Sequence, residues 1–189
     1  MRRGVSALPL LLILAACGRS PTTHFYTLVP EPAAQTIHPA AAGPPVQVGR
    51  VMLPGELDRL SIVTRGPGAQ VDVSGQDRWV APLDELVQRA LTEDLRERLG
   101  GSRVLAPGDR QPPGGVLTLA LNVQQFSADR SGQVILDADW MLVGGRSRKP
   151  ASNHHVTLHV DAGSGRSDAV AAAMSRALGQ LADRIAAAL

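Results

Sequence analysis

The chain of 189 residues holds one cysteine, so no disulfide can form within it and the fold must stand on its core alone. Aromatic residues make up only 3% of the sequence, with two Phe, one Tyr and two Trp, which leaves Val, Leu, Ile and Ala to fill that core. The uncharged run from Val5 to Leu14 is too short to span a bilayer, which takes about 20 residues. An excess of charge is missing as well. Removing residues 1–16 takes away Arg2 and Arg3 and no acid, leaving 17 basic against 17 acidic residues. A nucleic-acid partner needs a basic surface excess, and none is visible. No Gly-rich phosphate loop follows a strand, because Gly66-Pro67-Gly68 and Gly114-Gly115 read as turns. No nucleophile elbow or Ser-His-Asp pattern stands out either. The sequence therefore points to no enzyme, no cofactor and no metal.

What is present begins at the N-terminus. Arg2 and Arg3 are followed by the apolar Val5–Leu14 run, the small pair Ala15-Ala16 and then Cys17. Positive charge, an apolar stretch and small residues before a cut describe a secretory signal peptide. With the cysteine directly after the small pair, Leu14-Ala15-Ala16-Cys17 resembles a bacterial lipoprotein signal. That resemblance implies cleavage before Cys17, a diacylglycerol on its thiol and an acyl chain on its new amine. Each buried CH₂ holds a chain in the membrane by about 0.8 kcal/mol, so several chains anchor it for good. Gly18 stands where an aspartate tends to retain lipoproteins in the inner membrane, which makes the outer membrane the expected address. A plain secretory signal with a free Cys17 is the alternative.

Residues 17–45 read as the lipidated cysteine, a short β-prone run with Phe25 and Tyr26, and a Pro/Ala-rich linker from Pro30 to Pro45. Residues 46–189 read as a single domain. Val46–Leu53 is a strand, and Leu60–Arg65 with Gln70–Ser74 forms a hairpin, after which Gly75 breaks the pattern. Pro82–Leu99 is the clearest helix. Leu83, Leu86, Val87, Ala90, Leu91, Leu95 and Leu99 make one stripe, and Pro82 suits the first helical position. Glu85 with Arg89, and Asp94 with Arg98, read as i, i+4 pairs on its wet side. Arg103–Leu105 is a short strand. Val116–Phe126, Gln133–Val143 and His154–Val160 alternate with period two, as an antiparallel meander wet on one face does. Ser167 can cap a last helix whose stripe runs from Val170 to Leu189. The expected fold is α+β: an antiparallel sheet with two amphipathic helices packed on one face.

With these pieces in place, the chain resembles the paraquat-inducible protein C family, the ABC-type transport auxiliary lipoproteins. The resemblance rests on the motif ending at Cys17, Phe25-Tyr26-Thr27-Leu28, Ile62-Val63-Thr64-Arg65, Arg78-Trp79 with Pro82-Leu83, and Met174-Ser175-Arg176-Ala177-Leu178. It implies an outer-membrane lipoprotein facing the periplasm. It also implies a partner: an MCE-domain protein forming a tunnel that carries lipid between two membranes. A ring of copies follows if that tunnel is symmetric. A periplasmic lipoprotein that binds lipid in its own groove between sheet and helices is the other reading, and a lipoprotein hydrolase the weakest.

Few residues stand out as sites. Arg78 and Trp79 are candidate partner contacts, since Arg and Trp are favoured anchors. The competing reading packs Trp79 against the helix that follows. Trp140 lies on an apolar strand face and reads as core. His155 and His159 share a strand face about 13 Å apart, too far for one metal ion. His154, His155 and His159 therefore read as solvated histidines. Arg146, Arg148 and Lys149 crowd one hairpin tip, and Asp137 with Asp139 shares the wet face of one strand and reads as serving solubility. Replacing Cys17 by Ser is expected to abolish acylation and release the protein from membranes. A Cys17→Ser variant that still sediments with membranes and partitions into detergent contradicts the lipoprotein reading.

Overall fold

The computed structural model describes residues 21–33, 44–144 and 153–189. Cys17 and the cluster of Arg146, Arg148 and Lys149 lie outside the described residues. In chain order the elements are β1 (His24–Tyr26), β2 (Val46–Met52), β3 (Ser61–Arg65), β4 (Val71–Trp79), α1 (Leu83–Leu99), β5 (Val104–Leu105), β6 (Leu117–Asp129), β7 (Gln133–Gly144), β8 (Asn153–Asp161) and α2 (Ser167–Ala187).

The meander is where alternation puts it. Leu119, Leu121 and Val123 of β6, Val134, Leu136, Ala138 and Trp140 of β7, and Val156, Leu158 and Val160 of β8 are all buried. β6 pairs antiparallel with β7, and β7 with β8. A register shift between Val123 and Gln125 re-aims β6, so that Phe126 and Ala128 continue its buried face. The turn into β7 is built on Asp129. Its carboxylate accepts from the Ser131 hydroxyl at 2.6 Å, the Ser131 amide at 2.8 Å and the Gln133 amide at 3.0 Å. Those donors, the Ser131 hydroxyl foremost, hold the carboxyl below its ordinary range. Gly132 has φ +95°, and a Cβ there would overlap the Ser164 carbonyl of the turn that leads into α2.

The α+β class and the two helices stand, but the sheet is mixed rather than antiparallel. Among the described residues eight strands form one sheet, in the order β1-β4-β3-β6-β2-β5, with β7 and β8 continuing from β6. β1 runs parallel to β4, β2 parallel to β5 and β6, and β3 parallel to β6. Parallel pairing needs a crossover of a dozen residues or more. The segment from β3 through α1 supplies it between β2 and β5. Sequence alternation marks a half-buried strand but carries no information about the direction of its neighbour.

Local differences have local causes. β4 continues past Gly75 to Trp79 through an irregularity: Val63 pairs with Val73 but Ser61 pairs with Arg78. The Ser74 hydroxyl accepts the Gln76 and Asp77 amides across that break, at 3.3 and 2.9 Å. Pro82 occupies the cap position and the helix begins at Leu83. Arg166 holds the cap of α2, and Ser167 is its first helical residue, with its hydroxyl committed elsewhere. The β2 register also shifts between Val48 and Val51, which frees two carbonyls. Gln88 of α1 donates its side-chain amide to both, at 3.1 Å to Val48 and 2.8 Å to Gly49. α1 packs on β2 and on α2, and α2 lies over β7 and β8.

The α1 stripe is buried as expected, with Leu91 and Leu95 at 0% exposure. Leu91→Asp places an unpaired carboxylate at that contact and is expected to cost more than about 4 kcal/mol. Urea denaturation checks this, and an unchanged midpoint would show that the stripe is not closed by the sheet and α2.

Candidate functional site

The described structure begins with a segment that the sequence reads as a run before a linker. It is held by the helices. β1 forms an edge of the sheet against β4, pairing His24, Phe25 and Tyr26 with Asp77, Arg78 and Trp79. Beyond β1 the chain crosses the seam of α1 and α2 as a strap. Leu28 is buried in the common core. The Val29 amide donates to the Ser175 hydroxyl of α2 at 3.1 Å. The Glu31 amide donates to the Asp94 carboxylate of α1 at 2.6 Å, and the Glu31 carbonyl accepts from Arg98 at 3.3 Å.

Asp94 and Arg98 were expected on the wet side of α1, and this expectation is corrected: they are 0% and 1% exposed. α2 and the strap cover that flank of the helix. The guanidinium of Arg98 donates to Asp183 of α2 at 2.6 Å and to its own helix at the Asp94 carbonyl at 2.9 Å. Its distance to the Asp94 carboxylate is 3.9 Å. One arginine thus joins α1, α2 and the strap. Gly179 sits where the strap crosses α2, and a Cβ there would come within 2.8 Å of the Glu31 Cβ. A glycine inside a helix costs about 1 kcal/mol against alanine, and close approach of the Glu31 side chain is what requires it.

A second polar cluster clasps the other end of the strap. The Asp77 carboxylate accepts from the Ser167 hydroxyl at 2.8 Å and the Ser74 hydroxyl at 3.2 Å. His24 Nδ1 lies 3.2 Å from it and the Tyr26 hydroxyl donates at 3.4 Å. Burial pushes the Asp77 carboxyl up, but Ser167, His24, Ser74 and Tyr26 together outweigh it and hold the group below its ordinary range. Serine, histidine and aspartate do meet here, in an order unsuited to catalysis. The serine donates to the carboxylate, and no imidazole stands between them to take its proton.

Of the candidate partner contacts, Arg78 is exposed on β4, whereas Trp79 is 2% exposed and packed in the core. A partner meeting the folded domain finds Arg78 and not the indole. The histidines are not brought together. His154 stacks on Trp140 with ring centroids 4.1 Å apart. His155 turns to the other face, 3.0 Å from Asp139 and 3.8 Å from Asp137. Among the described residues no group of three metal-ligating side chains converges. Between sheet and helices, where a lipid groove was the alternative expectation, Leu57, Trp79, Leu83, Phe126 and Met174 close on one another. Two open clefts of about 330 and 440 Å³ lie instead on either side of Arg50 and Met52.

Fold and site together define an α+β domain whose N-terminal strap is built into its helical layer. The chain belongs to the ABC-type transport auxiliary lipoprotein family: the model of the ABC-type transport auxiliary lipoprotein component matches residues 26–186, from the strap to the end of α2. That family is described by a role in transport and not by a reaction. Two crystal structures share the fold. One is described as an uncharacterized protein, with TM-score 0.70, 18% identity, and 88% of this chain and 98% of that chain covered. The other is protein XCC0632 from Xanthomonas campestris, with TM-score 0.67, 18% identity, and 86% and 92% covered. No curated protein matches the chain.

Asp94 makes the strap sensitive to pH. Burial pushes its carboxyl up from 3.8 to about 6, against the opposing pull of the Glu31 amide and Arg98. A folded-state value above the unfolded one means that the folded chain binds this proton more tightly. The contribution is complete below about pH 4 and is lost as pH rises through about 6. Asp94→Asn keeps an acceptor for the Glu31 amide and removes the buried charge. It is expected to flatten the stability profile between pH 4 and 6 and to gain about 1–3 kcal/mol at pH 7.5. Urea titrations across that range test it, and a loss at pH 7.5 would show that the carboxylate is a net stabiliser.

Proposed function

We propose that this protein is an outer-membrane lipoprotein, anchored through acylated Cys17, that serves as a non-enzymatic adaptor for an MCE-type lipid-transport tunnel. The observation that carries the reading is the family match over residues 26–186 beginning nine residues after Cys17. The domain assigned to transport and the anchoring motif are therefore parts of one short chain. The Gly18 that follows the cysteine supports the outer membrane as the address. A docking role asks for a rigid surface held at a bilayer. Clamping of the strap by Arg98, Asp94 and Ser175 gives the domain such rigidity close to its anchor. Exposed Arg78, on the strand beside β1, lies at the anchored end of the sheet. Copies arranged around a symmetric tunnel fit the same role.

The test is affinity purification of the tagged mature protein from crosslinked envelopes. An MCE-domain protein is the expected co-purifying species, at a level well above that from envelopes carrying a Cys17→Ser variant. Recovery of acylated protein without any tunnel-forming partner would falsify the adaptor role while leaving the lipoprotein assignment intact.

A further inference from the structure

Phe25 is one of only two phenylalanines in the chain, and the core does not use it: it is 62% exposed, while Phe126 is 1% exposed. It is not alone. Val80 is 54% exposed and its amide donates to the Tyr26 carbonyl beside Phe25. Arg78, the registered partner of Phe25, is exposed two residues before Val80 and on the same face of the strand. Two large apolar side chains and a cation thus gather at the β1 edge. An aromatic ring, aliphatic side chains and an arginine are what a protein presents to the headgroup region of a bilayer.

The tether says what this edge meets. Phe25 lies eight residues after Cys17. Fully extended, that length spans at most about 28 Å. The strap clamp fixes the end of the tether to the sheet, so the short leash draws the β1 edge, rather than any other part of the domain, toward the anchor. On a short leash the effective concentration of a surface near its target is in the millimolar range, so weak contacts suffice to populate the bound state.

We propose that the β1 edge rests on the membrane, with Phe25 and Val80 entering the interfacial region and Arg78 meeting lipid phosphates. This rests on the acylation of Cys17 proposed above and adds a second, non-covalent contact that fixes the orientation of the domain. Its consequence is that the sheet does not swivel on its lipid.

The full-length acylated protein tests this with Phe25→Trp as a depth probe. The two native tryptophans are 2% and 4% exposed and give a constant background. The variant is reconstituted in vesicles of phosphatidylethanolamine and phosphatidylglycerol, with or without bromine at carbons 6 and 7 of one chain. The added emission is expected to fall at least twofold with bromolipid. Val143→Trp, on β7 and paired with Thr118 at the end of β6 far from β3, is expected to show no such loss. Mass spectrometry of the same samples reports the acyl chains. Acylated Phe25→Trp protein that is not quenched overturns the membrane contact and leaves the anchor standing. Emission that shifts only when solubilised envelope proteins are added assigns the edge to a protein partner and overturns it equally. Absence of acyl mass removes the anchor and this proposal with it.

Discussion

The buried guanidinium of Arg98 is the constraint around which the helical layer is arranged. A charge taken out of water has to be paired and hydrogen-bonded, or it costs several kcal/mol. Arg98 meets that demand from three directions: Asp183 on α2, the Asp94 carbonyl on its own helix, and the Glu31 carbonyl on the strap. Arginine suits the position because its planar fork offers several donors at fixed angles, which a lysine does not. Removing any one of the three elements leaves part of the charge unsatisfied. The crossing of α1 and α2 and the seat of the strap are therefore set together, and hydrophobic contact alone, being non-directional, would not specify that arrangement. The cost is visible at Asp94, whose second carboxylate oxygen is buried without a partner and whose proton affinity is raised.

What the sequence could and could not reveal follows from this. The stripes of α1 and α2 and the alternation of β6, β7 and β8 are periodic, and periodicity is a property of one segment. Those elements were legible. The pair Asp94 and Arg98 is also periodic, but an i, i+4 ion pair has the same spacing whether water or another helix lies over it. Only the partner of that face decides, and the partner lies far along the chain in α2. Parallel pairing of β2 with β6 and of β1 with β4 was invisible for the same reason. Gly179 is a signal that the sequence does carry. In a helix otherwise rich in alanine it is the residue that propensity would not choose, and it marks where the strap passes.

The candidate site divides along the same line. Cys17 belongs to a linear motif, which carries its meaning without a fold. Trp79 and Arg78 are neighbours in sequence and lie in opposite environments, one in the core and one in solvent, because alternate residues of a strand face opposite ways. Ser167 had the right chemistry for a helix cap. Asp77, ninety residues earlier, competes for its hydroxyl and wins, and the same carboxylate gathers His24 and Tyr26 onto the edge strand. No local rule announces a cluster drawn from three separate segments.

The strap changes how the Pro/Ala stretch acts on the domain. As a leash between anchor and domain, a run of that length would let the domain drift far from the bilayer. Yet sheet residues stand on both sides of it, β1 before and β2 after. The stretch connects two strands of one sheet, so with Cys17 acylated as proposed it carries no load from the anchor. The working leash is then the few residues between Cys17 and His24, and its short reach is set by the clamp at Asp77 and Arg98. Under that proposal, a tether so short leaves the domain little freedom to search for a distant partner, and whatever it serves in transport has to come to the membrane.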